Sequence, residues 1–189
     1  MIVLHGLGDS MNGYTWLPQE LALDRLNYLL VNAPDEYYGG YSWYDINGDQ
    51  GAGILRSRRL VTGLIEAQAK EGFPSEHIFL FGFSQGCLMT LDVGLRHPAR
   101  LAGLIGISGW VHELPILMKE LAPVAREQRI LMTHGPYDPL VPFAKVKQQA
   151  RELQAAGLKV EWHEFPKAHT IAGEAELRVI RDFVKANMK

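Results

Sequence analysis

Cysteine is almost missing from this chain: Cys87 is the single thiol in 189 residues, so no disulfide can close within it. Charge of one sign is scarce as well. The 19 Lys and Arg against 21 Asp and Glu leave a formal net charge of −2, and no basic cluster is longer than Arg56-Ser57-Arg58-Arg59. A nucleic-acid partner, which needs a basic face, is therefore not expected. Long apolar runs are absent: none approaches the roughly 18 residues of a membrane-spanning helix, so no transmembrane segment is expected. The opening Met1-Ile2-Val3-Leu4 has neither a basic n-region nor a long apolar h-region. Together with the lone cysteine, this makes the cytoplasm the expected location. No repeat, low-complexity tract or linker-like shift of composition divides the chain. With 47% hydrophobic residues, one domain spanning 1–189 with a sizeable core is the expectation.

What is present is a steady alternation of short apolar runs with amphipathic stretches, the pattern of a mainly parallel sheet with helices on both faces. Six strands are expected near 1–5, 28–33, 77–82, 102–107, 129–134 and 159–165, with helices at 15–25, 56–71, 85–96, 114–127, 143–156 and 172–187. Gly157 marks the stop of the fifth helix. Residues 34–55 break the rhythm, mixing Pro34 and five glycines with Tyr37, Tyr38, Tyr41, Trp43 and Tyr44. A loop of this length is more often functional than idle, and it is expected to wall a ligand site.

Gly82-Phe83-Ser84-Gln85-Gly86 follows the apolar run His77–Phe81 and precedes the helix-like Cys87–Leu91. Strand, sharp turn and helix around a serine flanked by glycines make a nucleophile elbow, in which the strained turn exposes the hydroxyl and the glycines let helix and strand pass closely. Serine at its free pKa needs a histidine base, itself oriented by a carboxylate. In a sheet of this kind such groups project from loops at the carboxyl ends of strands. Asp138 follows the strand ending at His134, and His169 follows the strand ending near Phe165. The chain order Ser84, Asp138, His169 is that of α/β-hydrolases. An oxyanion hole needs two backbone amides, one after the serine and one after an early strand. Gln85 supplies the first and Leu7, in His5-Gly6-Leu7-Gly8-Asp9, the second. With a histidine base of free pKa about 6.5, activity is expected to rise through neutral pH and fall in acid.

These pieces occur together with Ser42-Trp43-Tyr44-Asp45-Ile46, His134-Gly135 and Val141-Pro142. Jointly they resemble the phospholipase/carboxylesterase family that includes the acyl-protein thioesterases, in that family's order and over nearly the whole chain. The resemblance implies an α/β-hydrolase that cleaves small-molecule or lipid esters or thioesters without a cofactor. By position it implies Ser84 as nucleophile, His169 as base, Asp138 as its orienter, and Leu7 with Gln85 as oxyanion donors. It also implies that Trp43, Tyr44 and Trp110 lie in an apolar acyl groove, although read from the residues alone Trp43 and Trp110 serve equally as ordinary core aromatics. Two departures stand out. Ala168 precedes the histidine where the family commonly has glycine, and the family's extra strands before the His-Gly motif are absent, since that motif begins at residue 5. Without them Tyr28–Val31 would form an exposed apolar edge, so a homodimer through that edge, or a compensating cover, is expected.

Other residues carry plainer readings. His5, His134, His163 and His169 lack the spacing of a zinc helix motif, so no metal site is expected, and His5 is read as tying the oxyanion loop. His77, His97 and His112 read as surface or helix-end residues. Cys87 is read as core filler rather than a second nucleophile, Asp92 as facing away from the pocket, and Asp45 as holding its own loop through backbone amides. Trp162 is read as core, and Leu114, Leu117 and Met118 as the buried face of a helix rather than a groove wall. A competing function is a protein that keeps this fold, lacks catalysis, and binds an apolar ligand or partner in the same groove.

Overall fold

The structure, a computed structural model, describes residues 1–188. In chain order its elements are β1 (Ile2–Leu4), α1 (Leu17–Leu21), β2 (Leu29–Val31), β3 (Asp35–Tyr37), β4 (Gly40–Ser42), α2 (Gln50–Lys70), β5 (Phe79–Phe83), α3 (Gln85–Arg96), β6 (Gly103–Ile107), α4 (Leu114–Lys119), β7 (Arg129–His134), α5 (Phe143–Ala155), β8 (Lys159–Glu164) and α6 (Gly173–Asn187). Six strands form one sheet in the order β2-β1-β5-β6-β7-β8, every neighbouring pair parallel. The chain therefore moves outward from β1 to β2, then returns to the other side of β1 and runs on to β8. That reversal puts the carboxyl ends of β1 and β5 side by side at the topological switch point, where open α/β sheets hold their ligands.

Successive strand side chains point to opposite faces. Ile2, Leu4, Leu80, Leu104, Ile130 and Met132 pack with Ile54, Val61 and Ile65 of α2, Leu88 and Leu91 of α3 and Val146 of α5. Val3, Phe79, Phe81, Ile105 and Leu131 pack on the opposite face with Leu17 and Leu21 of α1 and with Leu177, Ile180 and Phe183 of α6. The sheet is thus covered on both sides, as the near-continuous apolar runs of its inner strands require.

Several boundaries differ from the sequence expectations. The helix expected at 15–25 shrinks to α1, preceded by a 3-10 turn at Met11–Tyr14 and ended by Ala22 in the left-handed region at φ 47°. The helix expected from 56 begins at Gln50, with the Asp49 side chain capping it by accepting from the Ala52 N–H at 3.1 Å. The stretch 34–55, expected as pure loop, instead contains the antiparallel pair β3–β4 and the first turn of α2. The helix expected at 114–127 ends at Lys119 and resumes only as a 3-10 turn at Ala125–Glu127. The edge strand β2 pairs only with β1, and its Leu29, Leu30 and Val31 are each half-buried. Among the described residues, no helix is long and apolar enough to cross a membrane.

Candidate active site

Strand β5 passes into α3 through one residue, Ser84, held at φ 54° and ψ −116°. A side-chain-bearing residue rarely adopts that region, and here the surroundings enforce it. The Ser84 amide donates to the Ile107 carbonyl of β6 at 2.9 Å. A Cβ on Gly82 would lie 2.0 Å from the Gly86 carbonyl oxygen, and one on Gly86 would lie 2.0 Å from that of Leu4. Both glycines are there because backbone occupies the space a side chain would need.

Ser84 Oγ lies 2.9 Å from His169 Nε2, and His169 Nδ1 lies 2.7 Å from Asp138 Oδ2. The other oxygen of Asp138 accepts the amides of Leu140 and Val141, each at 2.9 Å. Burial by itself would raise the Asp138 carboxyl, but the hydrogen bonds from His169, Val141 and Leu140 together hold it below its ordinary value. An ionised carboxylate can only accept, so Nδ1 carries the proton and Nε2 is left to accept from the serine hydroxyl. His134 Nε2 donates to the Val141 carbonyl at 3.0 Å, bracing the Asp138 loop from within, and burial lowers the pKa of this ring. The loops bearing Asp138 and His169 are hitched together by Phe165 N–H to His134 O at 3.0 Å and Tyr137 N–H to Lys167 O at 3.3 Å.

On the other side of the serine, Leu7 shares a cavity with Ser84 and Gln85. Gln85 opens α3, so its amide is one of the helix N-terminal N–H groups that have no acceptor within the helix. The Gln85 side chain clamps the segment after β4: its Oε1 accepts from Trp43 N–H at 3.0 Å and its Nε2 donates to Tyr44 O at 3.1 Å. Trp43 and Tyr44 are therefore not groove residues, contrary to expectation. They are 2% and 0% exposed, and the Trp43 indole donates to the His5 carbonyl at 2.9 Å. His5 Nε2 accepts from Ala33 N–H at 3.0 Å, which puts the ring proton on Nδ1, 2.6 Å from the Gly6 carbonyl. The loop carrying Leu7 is also bridged to β4 by Gly8 N–H to Tyr41 O and Tyr41 N–H to Asp9 O, both at 2.9 Å.

Two cavities meet at His169 and Phe83. One, of about 430 Å³, runs past Ser84 between Leu7, Ile46, Trp110, Leu140 and Val141. The second, of about 550 Å³, opens on the far side of His169 among Tyr14, Trp16, Ile171 and Leu177. Of the residues expected to line a groove only Trp110 does so. Ile46, Phe83 and Val141, each inside a recognised motif, and Leu140, beside one, also line it, a placement that the motifs alone do not give. Among the remaining candidates, Cys87 is fully buried and its thiol is pushed up to about 12 by that burial, so it stays protonated. Asp92 pairs with Arg58 and Arg96, away from the cleft. Asp45 accepts from the Asn47 amide at 2.8 Å and so holds its own turn. Trp162 is half-buried, its indole donating to Glu164 at 2.8 Å, so it is not a full core residue. Leu114 and Leu117 are buried. His97 closes α3 but is also buried.

A parallel sheet with this reversal, and a serine raised on a strand-to-helix elbow beside it, defines an α/β-hydrolase. The model of the phospholipase/carboxylesterase family matches residues 1–188. Acyl-protein thioesterase 1 of Schizosaccharomyces pombe is 35% identical over 166 residues, covering 81% of this chain and 74% of that protein. A probable carboxylesterase of Oryza sativa subsp. japonica is 32% identical over 205 residues, covering 98% of this chain and 76% of that protein. The crystal structure of Arabidopsis thaliana SOBER1 is similar with a TM-score of 0.90 at 28% identity, covering 100% of this chain and 98% of that one. The chain belongs to the phospholipase/carboxylesterase family and is a serine hydrolase of the α/β-hydrolase fold, acting on carboxylic esters or thioesters.

Proposed function

We propose that Ser84 attacks the carbonyl of an acyl ester or thioester, with His169 taking the hydroxyl proton and Asp138 fixing the imidazole and stabilising its cation. The tetrahedral oxyanion is received by the amides of Leu7 and Gln85, each such donor contributing about 10²–10³ in rate. His169 then gives its proton to the departing alcohol or thiol, and later takes one from the water that hydrolyses the acyl-serine. The observation that carries this reading is the unbroken run Ser84 Oγ, His169 Nε2, Nδ1, Asp138 Oδ2 at 2.9 and 2.7 Å. The acyl group occupies the apolar cavity beside Leu7, Ile46 and Trp110, and the leaving group departs toward Tyr14 and Trp16, on the side from which His169 protonates it. The relatives named for thioesterase and carboxylesterase activity support a small-molecule or lipid acyl substrate.

Labelling by a fluorophosphonate probe, with hydrolysis of p-nitrophenyl butyrate alongside, tests the reading. Both are expected in the wild type and lost in Ser84→Ala and His169→Ala. An unlabelled, inactive wild type would leave a protein that only binds an apolar ligand in the same cleft. The same reading includes pairing of β2 with a second copy across its open edge. Sedimentation velocity at micromolar concentration is expected to give a dimer that Leu30→Lys converts to monomer, and a monomeric wild type refutes the pairing. The lone buried thiol is in keeping with the reducing cytoplasm.

A further inference from the structure

An ion pair that the reaction does not use lies under the loop that bears His169. Lys167 Nζ is 2.5 Å from Glu176 Oε1, and the two side chains are 2% and 0% exposed. The same carboxylate accepts the Thr133 hydroxyl of β7 on Oε1 and the Ala172 amide on Oε2, the latter at 2.5 Å. Burying two ions is a poor route to stability, because the loss of hydration offsets most of their attraction and an apolar pair of similar volume serves as well or better. Glu176 stands in the first turn of α6, four residues past the cap residue Ala172, and by accepting the Ala172 amide it caps the helix. Capping needs neither the lysine nor the threonine.

The geometry gives these extra partners a purpose. Residues 165–172 are irregular chain, and His169 stands within the hexapeptide Lys167–Ala172. The first residue of that hexapeptide binds Glu176 through its ammonium and the last through its amide, so both feet of the loop rest on one side chain. Thr133 fixes that side chain to β7, the strand leading to Asp138. The Lys167 carbonyl accepts from the Tyr137 amide at 3.3 Å, and a Cβ on Gly135 would lie 2.1 Å from that same oxygen. The imidazole thus has no covalent link to regular structure nearer than Glu164 on one side and Gly173 on the other, and this carboxylate holds the loop at both ends of the hexapeptide that carries it.

We infer that Glu176, with Lys167 and Thr133, is a positioning residue that holds His169 Nε2 within reach of the Ser84 hydroxyl. The inference rests on the proposed roles of Ser84 and His169. Glutamine in place of Glu176 has one acceptor oxygen where the carboxylate has two, so it can serve only one foot of the loop. A displacement of the base by about 1 Å costs about 10²-fold in rate.

The test is kcat and KM per active site, with sites counted by the fluorophosphonate end point and folding checked by circular dichroism. Glu176→Gln is expected to lower kcat about 10- to 100-fold with KM within about twofold. Thr133→Val, which deletes one hydrogen bond at constant shape, is expected to lower kcat several-fold with KM unchanged. A purely structural role would reduce the number of titratable sites and the melting temperature but leave kcat per site alone. An unchanged kcat per site in folded Glu176→Gln overturns the inference. Where that variant does not fold, an unchanged kcat per site in Thr133→Val overturns it. Failure of the hydrolase reading itself is distinct, as the wild type would then neither label nor turn over.

Discussion

In the proposed reaction the Leu7 amide receives the oxyanion, and the loop that carries it is held by buried side chains. The Trp43 indole holds the His5 carbonyl, and Gln85 holds Trp43 in turn. Trp43→Phe keeps most of the packing and strips one donor, leaving a buried carbonyl unpaired at a cost of about 1–3 kcal/mol. A lower melting temperature and a kcat reduced more than KM is altered are expected, read by thermal melts and steady-state kinetics. Asp138 gives a pH signature. Its carboxyl is held below the ordinary carboxylate value in the fold, so its contribution to stability is complete above the unfolded pKa of about 3.9 and is lost as pH falls through the lower folded value. Stability curves of the wild type and Asp138→Asn should therefore run parallel above about pH 5 and converge only below the ordinary carboxylate range. Urea titrations from pH 3 to 7 measure this, and convergence already near neutral pH would show that Asp138 is not held ionised. Activity of Asp138→Asn should fall by about 10⁴, because the amide lets the imidazole carry its proton on the wrong nitrogen. Cys87, buried and with its thiol pushed up to about 12, should resist iodoacetamide in the native protein and react after unfolding, as read by mass spectrometry.

Among the elements, α2 and α3 are joined by a charge cluster that has no part in the chemistry. Asp92, 4% exposed, receives Arg58 from α2 at 2.6 Å and Arg96 from its own helix at 2.5 Å, and Arg96 reaches on to Glu120. Asp92→Ala leaves two arginines without their central carboxylate, which for a buried pair costs about 3–5 kcal/mol. In a chain of this size the melting temperature should drop by about 6–20 °C, with kcat at 25 °C unchanged. A drop of under 2 °C would show the cluster to be a solvated surface feature. The six strands are legible in the sequence because the inner ones are buried on both faces and read as unbroken apolar runs. The approach of Ser84, Asp138 and His169 is legible for a related reason, since each lies within five residues of the carboxyl end of a strand: Ser84 and Asp138 after inner strands β5 and β7, His169 after the edge strand β8. The start of α2 is not legible. Gly51 and Gly53 speak for loop by intrinsic preference, whereas Gly53 is glycine because a Cβ there would lie 2.7 Å from that of Tyr44. Trp43 and Tyr44 are misread for want of register, since nothing local says that the chain after β4 turns its rings inward and leaves Ile46 facing the cleft.

At the scale of the whole molecule, the reversal of strand order sets Ser84 on one cavity and His169 between two, and in the proposed reaction the acyl group and the leaving group lie on different sides. The cleft past Leu7, Trp110 and Leu140 offers about 430 Å³ lined mainly by apolar groups, so with the acyl group placed there as proposed, each added methylene leaves water until the space is filled. A buried methylene contributes about 0.8 kcal/mol, equivalent to about a fourfold rise in kcat/KM when the contact is fully made in the transition state. Across p-nitrophenyl esters from acetate to palmitate, kcat/KM should climb by up to that factor per methylene and then level off where the chain outgrows the cavity. Trp110→Ala, which removes one wall, should flatten the climb without lowering the rate on acetate to the same degree. Changing the alcohol at fixed acyl length should alter rates through the other cavity, where Trp16→Ala is the corresponding variant. A Trp16→Ala effect that grows with acyl length, in place of the Trp110→Ala effect, would mean that the two sides have been assigned the wrong way round.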